Sequence, residues 1–337
     1  MAIPRHLLVD ESNPGFYHVV SRCVRQAWLA GFDAGSGRDF EHRRDWIRDR
    51  ILQLSGIFAI DTYAYAVMSN HYHVVVYTDP ERVKAWSDEE VARRWLTLCP
   101  PRWIKGRPAD ELEAHPVFQK HLAALLQEPE RLATYRARLG NLGWFMRFLN
   151  EHVARRANAE DGVTGRFWEA RYRSQALLDE AAVLTCMAYV DLNPIRAGIA
   201  ERPETSDHTS IQARIERHQA GAPGDDGNAS ARSLEPVAQS LGCPQSPLTT
   251  IAETDYLQLV DWTGRALRTG TRGAIPPHLA PILDRLRIQP KAWPGSVAGF
   301  GKRFKLAAGH WDALKAHAQT LGRNWLQGVA SAKAMYA

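Results

Sequence analysis

The hydrophobic positions of the first 80 residues fall into three short runs rich in β-branched and aromatic side chains, with polar residues at their ends. The runs are GFYHVVSRCV (15–24), IFAIDTYAYAVM (57–68) and YHVVVYTD (72–79), and this composition predicts β-strands. Ser69 and Asn70 separate the last two runs and favour a turn. The second and third strands should therefore form a hairpin.

Other segments show helical spacing of their apolar positions. In RDFEHRRDWIRDRILQLSG (38–56) these positions are three, four or seven residues apart, and Gly56 is placed to end the helix. A helical insertion is predicted at about 80–140, and a further helix at 179–192, with Asp179 as its cap and Pro194 beyond its end. The order of elements predicts an α+β fold built on a central antiparallel sheet.

The composition changes near residue 205 and suggests a division of the chain. Residues 206–250 are rich in Gly, Pro, Ser and Ala without sustained periodicity, which predicts a linker. Residues 251–337 contain several amphipathic stretches. We therefore expect a first domain over residues 1–205 and a small helical C-terminal module over 251–337.

Composition and charge limit the class of protein. The chain has 337 residues, 45% of them hydrophobic, and a net charge of +5, which supports a polyanionic partner only weakly. The N-terminal residues lack the pattern of a secretory signal, and no apolar run approaches the length of a membrane span, so we expect a cytoplasmic protein without a membrane partner. The four cysteines, Cys23, Cys99, Cys186 and Cys243, lack paired spacing and should be reduced.

The predicted hairpin contains the first candidate functional residues, two histidines. His71 and His73 are two residues apart in a strand and therefore point to the same side of the sheet. Two neutral imidazoles so placed are good ligands for a divalent metal. An exposed or core-edge histidine pair fits the same pattern, so the motif alone leaves both interpretations open.

Two further segments, taken together with the one that contains the histidines, favour the metal-binding interpretation. MSNHYHVVV, GRFWEARYRS and YVDLNPIRAG follow one another in an order and spacing that resemble the HUH single-tyrosine transposases, most of all the REP-associated tyrosine transposases. The resemblance covers roughly residues 10–205. It implies the ferredoxin-like sheet of the HUH endonuclease fold, with helices on its face.

The resemblance also implies roles for four residues. His71 and His73 match the metal ligands, Tyr189 matches the catalytic nucleophile, and Asn193 matches the polar residue that completes the metal site. The chain would then be a transposase and single-strand DNA endonuclease that forms a covalent phosphotyrosine intermediate with magnesium or manganese. The histidine and asparagine set alone would also admit zinc. Without the resemblance, Tyr189 would be read as an aromatic residue at the edge of the core.

Cations and flat aromatic side chains near these motifs suggest contacts to single-stranded or hairpin DNA. An alternative is a strand flanked by solvated arginines with the tryptophan in the core. Bound to DNA, the protein would associate with the nucleoid. The candidate DNA-binding residues are Arg22, Arg166, Trp168, Arg171, Arg173 and Arg196.

Two other functions fit the same residues. One is a host-adopted protein with this fold that binds nucleic acid but no longer catalyses a reaction. The other is a metallohydrolase of small phosphate compounds, with water as the nucleophile. The sequence does not decide between a monomer and a homodimer, and the C-terminal module suits DNA contacts and protein docking equally well.

Overall fold

The computed structural model of the chain describes residues 8–24, 29–220, 234–240, 247–248, 251–269, 276 and 278–336. Cys243 lies outside the described residues, whereas Cys23, Cys99 and Cys186 form no disulfide within the described part of the chain. Within the described parts of the chain, no helix is both long enough and apolar enough to cross a membrane.

The fold is built on a five-stranded sheet in the order β4-β5-β1-β6-β7. Neighbouring strands run antiparallel from β4 to β6, and the short β7 pairs in parallel with β6 at the edge. A separate two-stranded ribbon joins β2 and β3. The described strands are β1 (Gly15–Arg22), β2 (Phe32–Asp33), β3 (Arg38–Asp39), β4 (Ile60–Val67), β5 (His71–Thr78), β6 (Arg173–Leu177) and β7 (Ala307–Ala308).

Fifteen α-helices surround the sheet in the described residues, together with three short 3-10 turns. The helices are α1 (Arg43–Ile57), α2 (Pro80–Ala85), α3 (Asp88–Leu98), α4 (Ala109–Ala114), α5 (Pro116–Leu125), α6 (Pro129–Leu139), α7 (Leu142–Asp161), α8 (Glu180–Asp191), α9 (Asn193–Arg196), α10 (Ser210–Gln219), α11 (Glu253–Thr269), α12 (Ala280–Arg285), α13 (Trp293–Arg303), α14 (Trp311–Thr320) and α15 (Val329–Met335).

The core topology is ferredoxin-like. The elements β1, α1, β4, β5, α7 and β6 follow one another as two split β-α-β units, and the four strands lie in the spatial order that this motif requires. The predicted α+β class with an antiparallel sheet is therefore confirmed, with the parallel β7 as an addition at its edge. The helical insertion predicted at about 80–140 corresponds to α2–α6.

Alternation along β5 separates two faces of the sheet. Tyr72 points toward α7, where its hydroxyl donates to Asn150 Oδ1 at 2.7 Å. His71 and His73 point to the opposite face, because neighbouring side chains of a strand alternate. Helix α8 packs on β4 and β5 and places Tyr189 against the histidine face. The sheet thus separates α1 and α7 from the side of the histidines.

Two local expectations from the sequence need correction. Gly56 does not end the first helix, because α1 continues to Ile57 and its cap is Phe58. The segment interpreted as a linker contains helix α10, whose Ser210 hydroxyl accepts a hydrogen bond from the backbone nitrogen of Tyr65 at 2.9 Å. The helix escaped prediction because most of its residues are polar.

The C-terminal residues complete the sheet and cover α8. The backbone nitrogens of Ala176 and Leu178 donate to the carbonyls of Leu306 and Ala308, both at 2.9 Å. Helix α13 packs against α8. The division into a domain at 1–205, a linker and a C-terminal module stays a prediction.

Candidate active site

Three neighbouring strands bring polar side chains together on one face of the sheet. In the strand register, Arg22 of β1 lies opposite His71, and His18 lies opposite Gln175 of β6. Residues two apart in a strand share a face, so His73 and Arg173 belong to the same surface. The residues that share this histidine face are His18, Arg22, His71, His73, Arg173 and Gln175.

A chain of hydrogen bonds joins three of these side chains. Gln175 Oε1 lies 3.2 Å from His18 Nδ1, and His18 Nε2 lies 2.9 Å from His73 Nδ1. Because the amide oxygen is an acceptor, His18 donates through Nδ1, and its Nε2 must accept from His73 Nδ1 in the neutral rings. The remaining ring nitrogen, His73 Nε2, then carries a lone pair. It is buried and has no hydrogen-bond partner among the residues that the structure describes.

His71 is oriented in a similar way by its neighbour in the turn. Its Nδ1 lies 2.6 Å from Asn70 Oδ1, so Nδ1 carries the proton and Nε2 carries the lone pair. The rings of His71 and His73 lie 4.9 Å apart, centre to centre, at an interplanar angle of 75°. The hairpin therefore presents two neighbouring imidazoles, each with Nε2 as the acceptor.

Burial keeps the three histidines neutral. It lowers the pKa of His18 to about 4, and it lowers the pKa of His71 to about 4 with additional contributions from Arg22 and Arg173. The pKa of His73 lies well below its ordinary value because of burial and the neighbouring histidines. At neutral pH these rings therefore keep the lone pairs that metal binding requires.

Tyr189 approaches this face from α8. Its ring lies 5.6 Å from that of His73 and 6.0 Å from that of His18, edge-on in both cases. The helix begins at Asp179, whose carboxylate accepts from the backbone nitrogen of Ala182 at 2.9 Å. Its apolar residues are buried and fix its position on the sheet.

The C-terminal end of α8 is held by a buried carboxylate. Asp191 accepts hydrogen bonds from the Ser210 hydroxyl, from the backbone nitrogen of Ile211 at 3.0 Å and from the Tyr256 hydroxyl at 2.5 Å. These partners belong to α10 and α11. Three hydrogen bonds from these two helices thus hold the last turn of α8, which contains Tyr189.

Residues of α9 and α13 cover the ring of Tyr189. The guanidinium carbon of Arg196 lies 4.8 Å from the ring centre, and the ring of Phe300 lies at 5.7 Å. Arg196 also donates to the carbonyl of Ala298 at 2.7 Å. A Cβ atom at Gly301 would lie 2.6 Å from Tyr189 Oη. The absence of a side chain at Gly301 therefore makes room for the hydroxyl.

Asn193 stands just beyond the end of α8. The helix stops at Asp191, and Asn193 starts the short helix α9 with Pro194 in its first turn. Asn193 and Tyr189 therefore do not lie on one continuous helix, because α8 and α9 are separated at Leu192. Asn193 is only 8% exposed, and in the described part of the chain its Nδ2 is buried without a hydrogen-bond partner.

The predicted metal ligands fit a divalent ion by their chemistry. Within the described residues, His73 Nε2 is a buried lone pair without a partner, which is costly unless a ligand engages it. The unpaired atom of Asn193 is Nδ2, a donor that does not bind a cation, so only its Oδ1 could serve as a ligand. In the described residues, no three His, Cys, Asp or Glu side chains form a metal-binding cluster. A metal at this place would thus depend on His71, His73 and the amide oxygen of Asn193.

Comparisons with known proteins find a weak structural likeness. No protein-family model matches the chain, and no curated protein matches it. Among solved structures, the chain is similar to a REP-associated tyrosine transposase bound to a REP hairpin. The two chains are 10% identical, the match covers 74% of this chain and 97% of the other, and the TM-score is 0.37. The roles of residues must therefore be argued from the site itself.

The candidate DNA-binding residues fall into two groups. One group lies on the side of the histidines and Tyr189 and consists of Arg22, Arg173 and Arg196. The positive charge of each of these arginines helps to lower the pKa of His71 or of His73. The other three line a pocket of about 440 Å³ with Arg147 and Asn150 of α7. Those three are Arg166, Trp168 and Arg171.

Trp168 connects the two groups. Its indole nitrogen donates to the carbonyl of Asn150 at 2.9 Å, and its backbone forms an isolated bridge with Cys23, the residue that follows Arg22. The pocket therefore begins beside the end of β1 at which Arg22 and His71 lie. Because Trp168 is half-buried, it supports the fold and also forms one wall of the pocket.

Sequence reasoning missed His18 and Gln175. His18 lies in the first predicted strand, whereas Gln175 lies in β6, which begins at the candidate DNA-binding residue Arg173. The roles of both residues depend on the register that places β1 between β5 and β6. The available signal was the alternation of β1, since His18 is a polar residue in an otherwise apolar run. That alternation marks His18 as a candidate, but it does not identify Gln175 as its partner.

Proposed function

We propose that this protein is a DNA transposase of the single-tyrosine type, which cuts and rejoins single-stranded DNA through a covalent bond to Tyr189. The observation that carries the proposal is the meeting of Tyr189 with His73 on one face of the sheet, with ring centres 5.6 Å apart and the buried His73 Nε2 unpaired. In this proposal His71, His73 and Asn193 hold magnesium or manganese.

Tyr189 would be the nucleophile. Its Oη forms a bond to phosphorus, the bond between phosphorus and the departing deoxyribose oxygen breaks, the phenol loses its proton, and the departing oxygen gains one. The product is a phosphotyrosine and a free DNA hydroxyl. A second DNA hydroxyl can attack the phosphotyrosine and restore a phosphodiester without ATP, because the covalent link conserves the energy of the broken bond.

The surrounding cations support attack on a negatively charged phosphodiester. A phenol ionises near pH ~10, so a tyrosine nucleophile needs positive charge close by. Arg196 lies over the ring of Tyr189, and the exposed Arg22 and Arg173 on the histidine face would bind the incoming phosphate. A divalent ion at the histidines would in addition polarise the phosphoryl group and offset its charge.

A host-adopted binding protein is the second candidate, and one observation favours it. Phe300 and Arg196 pack against the ring of Tyr189, and Arg196 is itself bonded to the carbonyl of Ala298. A covered nucleophile suits a protein that binds nucleic acid without reacting. The two functions differ in a single product, the covalent adduct.

A denaturing gel with labelled single-stranded hairpin DNA tests the proposal. With Mg²⁺ or Mn²⁺, we expect a covalent adduct for the wild type and none for Tyr189→Phe or for the double variant His71→Ala/His73→Ala. Binding without an adduct on hairpins from the neighbouring genomic DNA would favour the binding protein. Cleavage that survives Tyr189→Phe would identify water as the nucleophile and refute the proposed role of the tyrosine.

A further inference from the structure

A second charged cavity lies on the face of the sheet opposite the histidines. It has a volume of about 770 Å³ and is bounded by α1, the residues after α3 and the exposed side of α7. We name it the cationic cavity, after the charged residues in its wall. These are Arg50, Lys105, Arg107, Glu151, Arg155 and Arg156.

The charge of this wall is strongly unbalanced. Five of its residues are cationic, whereas Glu151 is the only carboxylate among the lining residues. That carboxylate is already engaged by Arg155 at 2.5 Å and by Arg147 at 3.6 Å. Arg107 is paired with Glu111, outside the lining residues, at 3.5 Å. The remaining cations still leave the cavity a net positive charge that its own wall does not neutralise.

Arg50 shows the imbalance at the level of one side chain. It is half-buried, and its guanidinium donates to Gln53 Oε1 at 2.6 Å, whereas its buried Nε has no hydrogen-bond partner among the described residues. Burial lowers its pKa. Arg48, on the same helix, is instead paired with Asp45 and Asp49 at 2.9 and 2.8 Å. A half-buried guanidinium without a carboxylate is unfavourable unless an anion joins it.

The position of His152 shows that the cations converge. Its pKa is lowered to about 4, first by burial and then by Arg50, Arg156 and Lys105. These three cations come from α1, from α7 and from the segment before α4. Their fields overlap inside the cavity, which is where an anion would gain most.

We propose that the cationic cavity binds phosphate groups of a nucleic-acid backbone. Four of the cations, Lys105, Arg107, Arg155 and Arg156, are exposed and form an open rim, which suits a polymer that passes across the cavity. Choosing nucleic acid as the source of the phosphates rests on the proposed function.

The surface of α7 links the cavity to the candidate active site. Arg147 lies two helical turns, or about 12 Å, before Arg155 and lines the pocket of Trp168, which begins beside Arg22 and His71. DNA that leaves the histidine face at Arg22 therefore meets cations along α7 as far as the cavity. The cavity would hold the part of the DNA that does not react.

Binding of a labelled DNA hairpin across a range of salt concentrations tests this site. The full-length protein is used with a chelator present, so that cleavage does not contribute. The variant Arg50→Gln/Lys105→Gln removes two cavity cations, neither of which is paired with a carboxylate in the described structure. The matched control Arg48→Gln/Lys84→Gln removes one arginine and one lysine that are paired outside the cavity.

We expect the cavity variant to bind the hairpin at least about tenfold more weakly at 100 mM salt, with a salt-dependence slope smaller by up to about 2, because each duplex phosphate contact contributes about 0.9. The control should keep the wild-type slope. Thermal melting of both variants verifies that they fold. Equal weakening of both variants, or no weakening of either, would overturn the proposal.

Inorganic phosphate distinguishes the sources of the ligand. We expect titration with phosphate, at ionic strength matched with chloride, to raise the melting temperature of the wild type and not of the cavity variant. If phosphate binds while hairpin affinity is unchanged by the cavity variant, the ligand is a free phosphate compound and the nucleic-acid assignment is wrong. Because this binding needs neither metal nor Tyr189, failure of the adduct test would leave its result intact.

Discussion

At the scale of single residues, the protonation of His73 depends on His18, a side chain outside the proposed set of metal ligands. His18 lies between Gln175 and His73, and its hydrogen bonds decide which nitrogen of His73 is protonated. A histidine with the proton on Nε2 would turn a donor toward the place where His71 and His73 point. The partners of a metal-ligating histidine matter for this reason nearly as much as the ligand itself.

Loss of this hydrogen-bond chain should weaken metal binding without loss of the fold. We expect His18→Ala to reduce the affinity for Mn²⁺ by about 10- to 100-fold, the range found when such a supporting partner is lost. Titration followed by electron paramagnetic resonance measures the affinity directly, without reference to activity. Gln175→Ala should act in the same direction and less strongly, because it leaves His18 in place.

His121→Ala is a suitable control for that titration. His121 is exposed on α5, and its Nδ1 hydrogen-bonds to the carbonyl of Val117, one turn earlier in the same helix, at 2.8 Å. Its removal should leave Mn²⁺ affinity unchanged. Wild-type affinity in a folded His18→Ala variant would show that the hydrogen-bond chain does not orient a ligand.

At the scale of elements, the position of Tyr189 is set by helices that are distant in sequence. Helix α8 is capped by Asp179 and held at its other end by Asp191, while α13 closes over the tyrosine ring. The approach of α13 is close because Gly301 faces the hydroxyl. The position of Tyr189, the proposed nucleophile, therefore depends on the contact between α8 and α13 as well as on α8 itself.

A methyl group at Gly301 should disturb this contact. Gly301→Ala places a Cβ atom 2.6 Å from Tyr189 Oη, so the ring or α13 must move. Because displacement of a reacting group by about 1 Å can reduce a rate by about 100-fold, we expect the rate of adduct formation to fall at least about tenfold. The rate is measured on the same labelled hairpin under single-turnover conditions.

Gly295→Ala makes the same change elsewhere in α13. Its nearest neighbour would be Arg303 Nη2 at 3.9 Å, which is an ordinary contact. Replacement of a glycine inside a helix by alanine there should be neutral or stabilise the protein by up to about 1 kcal/mol. If both variants form the adduct equally fast, the close approach at Gly301 does not position the nucleophile.

At the scale of the whole molecule, local sequence patterns predict most strands and helices near the site. The side-chain pairs that complete the site depend on contacts between residues distant in sequence. The strands were recognised because β-branched and aromatic runs mark them, and Asp179 was recognised as a cap from its position before α8. The pairing of His18 with Gln175 joins residues 157 positions apart, and no local pattern reports that distance. Helix α10 was missed because its stability comes from contacts with β4 and Asp191 rather than from an apolar periodicity.

The contacts across the predicted domain boundary imply that the described chain unfolds as one unit. The carboxylate of Asp179 accepts from the backbone nitrogen of His310 at 2.7 Å and also contacts its Nδ1 at 3.0 Å. Together with the pairing of β6 and β7, this ties α8 to the C-terminal helices. We expect amides of α8 and α13 to exchange their hydrogens through the same opening in native-state hydrogen exchange, at one common urea concentration.

The variant Asp179→Ala sharpens this last prediction. It removes the cap of α8 and the contact with His310, so the free energy of opening should fall by about 1–2 kcal/mol in α8 and in α13 alike. Ser87→Ala is the control, because Ser87 caps α3 in the helical insertion and makes no such link. If only α8 loses protection in Asp179→Ala, residues 251–337 open on their own, and the separate C-terminal module suggested by the sequence is the correct description.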